Sequence, residues 1–313
     1  MYLNGPARKK DLASGGRWAV LRWFISLLLF FYILFHFSLT IAGTEYATLP
    51  VEYGRVIYQY NGKSPNQLFI IGMSHRNTLT RQNGDNTSRV QAEVYKIGEW
   101  LIHHEGLELL LPEGFFQKKP PKTEKVQPGM EEKNNCPELD MNALEQMLSH
   151  NETFINAEML LKKHHLLRVK QVEVESIYNN VNQSLQKLIN NGGKACDYPA
   201  VKSELDYLQE RRTAAMLQKI PEIVEDQFRL GNINSKKAIF TIGMSHLHKI
   251  IRCLDENRIR IYSSLPANDK SKDYIADLNL KRGNFAVFVI LPKTLLDNPK
   301  VLEMNRLDKI KFQ

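Results

Sequence analysis

The pentapeptide Ile-Gly-Met-Ser-His occurs twice in this 313-residue chain, ending once at His75 and once at His246. A repeat of that length with matching surroundings marks two related units. In each copy an apolar run, 67–71 or 238–242, enters the motif as a buried strand would, and the Gly is placed to turn the chain out of it. Both histidines are then expected at the carboxyl edge of an α/β sheet, where side chains meet in a crevice. Glu113 follows a third apolar run, 109–111, and precedes Gly114. Two histidines and one carboxylate can hold a divalent ion such as Mn²⁺, Co²⁺ or Zn²⁺ and leave positions open for water and substrate. Such an ion makes its bound water a nucleophile near neutral pH. A histidine held by Glu113 could instead act as a general base without metal. Arg212 is the fourth candidate. It shares a helical stripe with Leu205, Leu208 and Met216, which turns it inward, whereas Arg211 is expected toward solvent. An inward arginine needs a partner, either a structural one in Glu173 or Glu175 or a substrate oxygen.

The elements that must position these residues can be read from periodicity. After the first motif, Val90, Val94, Ile97 and Leu101 predict a helix over about 87–104, followed by a strand at 107–111. After the second, Ile250, Ile251 and Leu254 predict a helix over 246–257, closed by a strand at 258–262. Between them, 118–137 is rich in Pro and charge and reads as a loop. Helices are predicted at 137–150, 157–165, 176–191 and 199–230, with Pro221 bending or dividing the last. A short strand is expected near 167–175 and a buried one at 284–291, with a weakly patterned tail. The fold class is α/β: a largely parallel central sheet built from two similar strand–helix–strand units, with a helical insertion at about 137–230. The histidine pairs 103–104 and 164–165 end helices, where imidazoles commonly bond free carbonyls.

Residues 23–43 contain no Asp, Glu, Lys or Arg. A run of about 20 apolar residues can cross a bilayer as a helix. Arg8, Lys9, Lys10, Arg17 and Arg22 precede it against one acid, Asp11, so the positive-inside rule keeps residues 1–22 cytoplasmic and sends 44–313 outside, to the periplasm or the extracellular space. The small residues Ala42 and Gly43 also permit a cleaved signal peptide, although the run exceeds the usual h-region. Residues 1–22 thus carry a net +4, half of the formal net charge of +8. What remains is mild and forms no basic stripe interleaved with aromatics, which argues against a nucleic-acid partner. Three scattered cysteines, Cys136, Cys196 and Cys253, supply neither a disulfide framework nor a zinc module.

The two Gly-x-x-His motifs, the Glu after the first, the Arg-x-x-x-Met helix before the second and the run Gly-x-x-His-Leu-x-x-Ile-x-x-x-Leu together resemble the TraB/PrgY/TIKI superfamily, related to erythromycin esterases and ChaN-like haem-binding proteins. The resemblance spans about 68–262. It implies that His75, His246 and Glu113 form the site, with Arg212 as the family arginine, and that the protein is a membrane-associated, metal-dependent peptidase or captures peptides. The expectation is a membrane-anchored hydrolase acting on peptides outside the cytoplasm, with Arg212 steadying the oxyanion. The alternatives are a non-catalytic peptide- or haem-binding protein and a metal-independent esterase.

Overall fold

The two pentapeptides end neighbouring strands. The apolar runs before them form β2 (Asn66–Met73) and β5 (Lys237–Gly243), buried almost throughout and paired parallel. The register sets Ile71 against Thr241 and Met73 against Gly243, so equivalent residues of the repeat are offset by one position. In the computed structural model the described residues are 48–74, 84, 86–117, 139–149, 155–190, 198–261 and 273–310. The apolar run 23–43, His75 and the Pro-rich segment 118–137 lie outside them. Among the described residues no helix is long and apolar enough to cross a membrane. The chain divides into two units, Met1–Thr48 and Leu49–Gln313, and every element below belongs to the second.

Six strands form the central sheet in the order β1 (Gly54–Tyr60), β8 (Phe285–Pro292), β2, β5, β3 (Leu109–Pro112) and β4 (Arg168–Val169). β1 is antiparallel to β8; the other pairs are parallel. The fold is thus mixed α/β with a mostly parallel sheet. Helix α1 (Thr87–Glu105) carries the predicted stripe, with Val90, Val94, Ile97 and Leu101 at most 1% exposed. Then come α2 (Met141–Ser149), α3 (Ala157–His164), α4 (Glu175–Asn190) and the long α5 (Tyr198–Arg229). The chain moves across the sheet in one direction from β2 to β3 and in the other from β5 to β8. Right-handed crossovers therefore place α1 and α6 (Met244–Glu256) on opposite faces.

Several expectations change. The strand after α6, β6 (Arg258–Ile261), does not close the second unit: it leaves the sheet and pairs antiparallel with β7 (Tyr274–Asp277). Its sequence Arg-Ile-Arg-Ile buries one face only, and a strand covered on both sides would have to bury two arginines. The closing strand is β8, apolar on both faces. Helix α6 starts at Met244 rather than His246, which puts His246 in its first turn. Pro221 does not divide α5; a proline removes one helical hydrogen bond and can be carried when the rest of the helix is packed. β4 is only two residues long. The tail from Pro292 is ordered into α8 (Lys293–Leu296) and α9 (Pro299–Met304), following the short α7 (Asn279–Arg282), and β1 had no counterpart in the sequence reading. Gly72 serves packing rather than a turn: a Cβ there would lie 2.4 Å from Leu247 Cδ1 and 2.8 Å from Leu291 Cδ2.

Candidate active site

Three of the four residues singled out in the sequence meet at the carboxyl edge of the sheet. Glu113 lies one residue beyond β3, and its N–H continues the ladder by donating to Thr241 O of β5 at 3.0 Å. The next residue, Gly114, has φ +74°, a conformation that costs glycine little and that turns the chain sharply away. Glu113 is thereby left pointing along the edge, its side chain 9% exposed. Its Oε2 accepts from Gly243 N at the start of α6, 2.5 Å away, where the helix dipole favours a negative charge. Its Oε1 lies 2.8 Å from Arg212 Nη1 and 3.3 Å from His246 Nε2. His75 lies outside the described residues; β2 delivers the chain to Ser74, whose carbonyl accepts from Gln91 Nε2 of α1 at 2.9 Å.

The other nitrogen of His246 is held by Thr213, a residue the sequence reading did not select. Thr213 Oγ1 is 2.6 Å from His246 Nδ1 and 2.9 Å from Gln209 O, one turn back on α5. A hydroxyl has one proton, and a carbonyl can only accept. With the Thr213 proton given to Gln209, as the 2.9 Å contact allows, His246 donates from Nδ1. A neutral imidazole in that tautomer turns the lone pair of Nε2 toward the Glu113 carboxylate. Two acceptors at 3.3 Å need a cation between them, either a proton on Nε2 or a metal ion. Ligand atoms about 2.0–2.1 Å from one tetrahedral ion are about 3.3–3.4 Å apart, so the donor set and its spacing fit a divalent ion.

Arg212 sits between two carboxylates. Its Nε donates to both oxygens of Glu173 at 3.1 Å and its Nη2 to Glu173 Oε1, while Nη1 faces Glu113. Burial by itself lowers the Arg212 pKa, but the Glu173 hydrogen bond and the charges of Glu113 and Glu173 reverse the sign, and the net shift is upward. Glu173, one of the two partners proposed from sequence, is 1% exposed and also accepts from Gly114 N at 3.0 Å. The Tyr178 ring lies under the guanidinium, 5.1 Å from its carbon. Arg211 is not on the solvent side: its Nε and Nη1 are buried without a hydrogen-bond partner among the described residues. One further buried carboxylate, Glu158 of α3, accepts from Thr241 Oγ1 at 2.5 Å.

No protein-family model, curated protein or solved structure matches this chain. The site must be read from its own geometry. A cleft of ≈ 290 Å³ opens at the carboxyl ends of β2, β5 and β8, lined by Ser74, Gly243, Met244, Ser245 and Thr294. A larger cavity of ≈ 450 Å³ between α5, α6 and β6 shares one residue with the site, Thr213. The smaller cleft meets the site at Gly243, whose N–H holds Glu113, and at Ser74, where β2 ends.

A second group lies where α1 meets the end of α3. Glu99, His103 and His165 place ligand atoms within 4.8 Å of one another and could hold a metal ion. The histidine pairs were expected to bond helix-end carbonyls. His104 does so, through Nδ1 and Trp100 O at 2.9 Å, but His103 and His165 face each other with ring centroids 5.4 Å apart. The spacing Glu99-x-x-x-His103 places both on one helix face and was the available signal. Burial lowers the pKa of His165. Cys253 is an inert thiol, pushed up to about 11 by burial.

Proposed function

We propose that the protein is a membrane-anchored, metal-dependent hydrolase of the TraB/TIKI kind that cleaves peptides outside the cytoplasm. The observation that carries this reading is the 3.3 Å approach of His246 Nε2 to Glu113 Oε1 with Nδ1 already committed to Thr213. A general base needs a ring nitrogen aimed at the substrate. Here Nδ1 is bonded to Thr213 and Nε2 faces the Glu113 carboxylate instead of an open cleft, which favours a ligand over a base. His246 and Glu113 would hold the ion, with His75 as the third ligand. When bound, the ion supplies a nucleophile from water near neutral pH.

The chain's own residues do the remaining work. Thr213 fixes the tautomer and aim of His246, in the way that partners outside the coordination sphere orient ligands. Arg212, its fork spent on Glu173 and Glu113, is a positioning residue that holds the Glu113 carboxylate in place, rather than an oxyanion donor. Gly243 N anchors the second Glu113 oxygen. The cleft beside Ser74, Ser245 and Thr294 presents hydroxyls and backbone groups of the type that hold an extended peptide.

The test is turnover of peptide libraries by the full-length protein with Mn²⁺, Co²⁺ or Zn²⁺ added. Metal-dependent product formation is expected, reduced about 100-fold or more in Glu113→Gln and in His246→Ala. Peptide binding with no product under any of these metals would overturn the hydrolase assignment and leave a capture protein.

A further inference from the structure

Helices α1 and α3 run side by side in matched register. At one end Gln91 Oε1 of α1 accepts from Ala157 N, the first residue of α3, at 2.9 Å. At mid-length the two are in direct contact, since a Cβ on Gly98 would lie 2.6 Å from Leu161 Cδ1. At the other end, eight residues on from Gln91 and from Ala157, stand Glu99 and His165, with His103 one turn further along α1. This is the opposite edge of the sheet from Glu113, because Lys237, the first residue of β5, donates from Nζ to Glu105 O at the close of α1, 3.0 Å away.

We infer that Glu99, His103 and His165 form a second divalent-metal site, of the zinc class, which clips the end of α1 to the end of α3. Two imidazoles and one carboxylate form a donor set for zinc or its first-row neighbours, not for calcium or magnesium. His165 Nε2 is buried without a hydrogen-bond partner among the described residues, in a side chain 13% exposed, and lies 3.8 Å from Glu99 Oε1. An unbonded ring nitrogen at that depth is costly unless something is there to accept its lone pair. Glu99 is held from outside the site: Lys96 Nζ takes its Oε2 at 2.8 Å. Tyr95 OH, itself 3.0 Å from His164 Nδ1, reaches Oε1 at 3.3 Å. Such outer contacts orient a carboxylate ligand. His165 is also the C-cap residue of α3, where free carbonyls favour a cation. His103 is exposed, so ions can enter and a water can complete four-coordination.

The inference is independent of any ion at Glu113 and is tested separately. The full-length protein and its variants are titrated with Zn²⁺ alone, and bound equivalents and the thermal midpoint are measured. The wild type should bind one equivalent more than His103→Ala, a variant of an exposed side chain that leaves the core intact. His165→Gln should lose the same equivalent, and zinc should raise the midpoint less in both. The residual affinity there should be weaker by about 100-fold or more. His246→Ala should keep this equivalent, and what that variant loses reports on the other site alone. Equal zinc binding by wild type and His103→Ala, or no zinc bound by the wild type, would overturn the assignment.

Discussion

Thr213 decides which nitrogen of His246 faces Glu113, and that role can be separated from shape. Thr213→Val keeps the volume but leaves Nδ1–H without its acceptor, a loss of about 1–3 kcal/mol for a buried donor. We expect metal affinity and peptide turnover to fall about 10- to 100-fold, with Thr213→Ser restoring most of both; a valine variant with unchanged kinetics and metal binding would remove Thr213 from the site. The neighbouring arginines should diverge in thermal or urea denaturation. Arg212→Ala strands two buried carboxylates and should cost about 3–5 kcal/mol. Arg211→Met discards two donors that lack partners among the described residues, and should be neutral or stabilising by about 1 kcal/mol. If Arg211→Met is the more damaging of the two, the assignment of roles on α5 is reversed.

At the scale of elements, the approach of α6 to β2 over Gly72 sets where His246 stands. A methyl at Gly72 must displace Leu247, the residue after His246, so Gly72→Ala should destabilise by about 1–3 kcal/mol through overpacking and impair His246 at the same time. Leu247→Ala in the same chain should recover part of the loss; strict additivity of the two changes in a double-mutant cycle would show that they do not meet. A different link joins α1 to α8: Glu93, 1% exposed, accepts from Thr294 N at 2.9 Å and Thr294 Oγ1 at 2.8 Å. Burial raises its pKa against the opposing pull of Thr294, Arg89 and Lys293. The folded state therefore keeps the proton to higher pH than the unfolded chain. That contribution is full below the unfolded value and is lost as pH rises through the folded one. Urea midpoints should consequently shift in favour of Glu93→Gln over the wild type as pH rises from about 4 to about 8; a difference that does not change with pH would contradict this. Much of this scaffold was legible beforehand. Strands buried on both faces read as apolar runs, and α1 as a single stripe, because each pattern is local. What escaped was non-local: that Arg-Ile-Arg-Ile must leave a sheet covered on both sides, that 285–292 takes its place, and that the threonine beside Arg212 faces a histidine from another helix. Glu113, Arg212 and His246 could be named from position in strands and stripes, but their mutual distances depend on the register of β3 against β5 and on how α5 packs beside them.

For the whole molecule the proposed topology is testable without any substrate. With five basic residues before the apolar run and Glu45 after it, protease added to intact cells or spheroplasts should digest the domain, and digestion only after lysis would contradict export. The strand order carries a consequence for synthesis. β1 meets β2 only through β8, so the first strand made joins the second by way of the last. Until Phe285–Pro292 has emerged, β1 has no partner in the sheet and one edge of β2 stays bare. The sheet is completed only once that strand is free to insert between β1 and β2. If the domain is exported as proposed, a chain held short of Phe285–Pro292 would cross the membrane with its sheet still open.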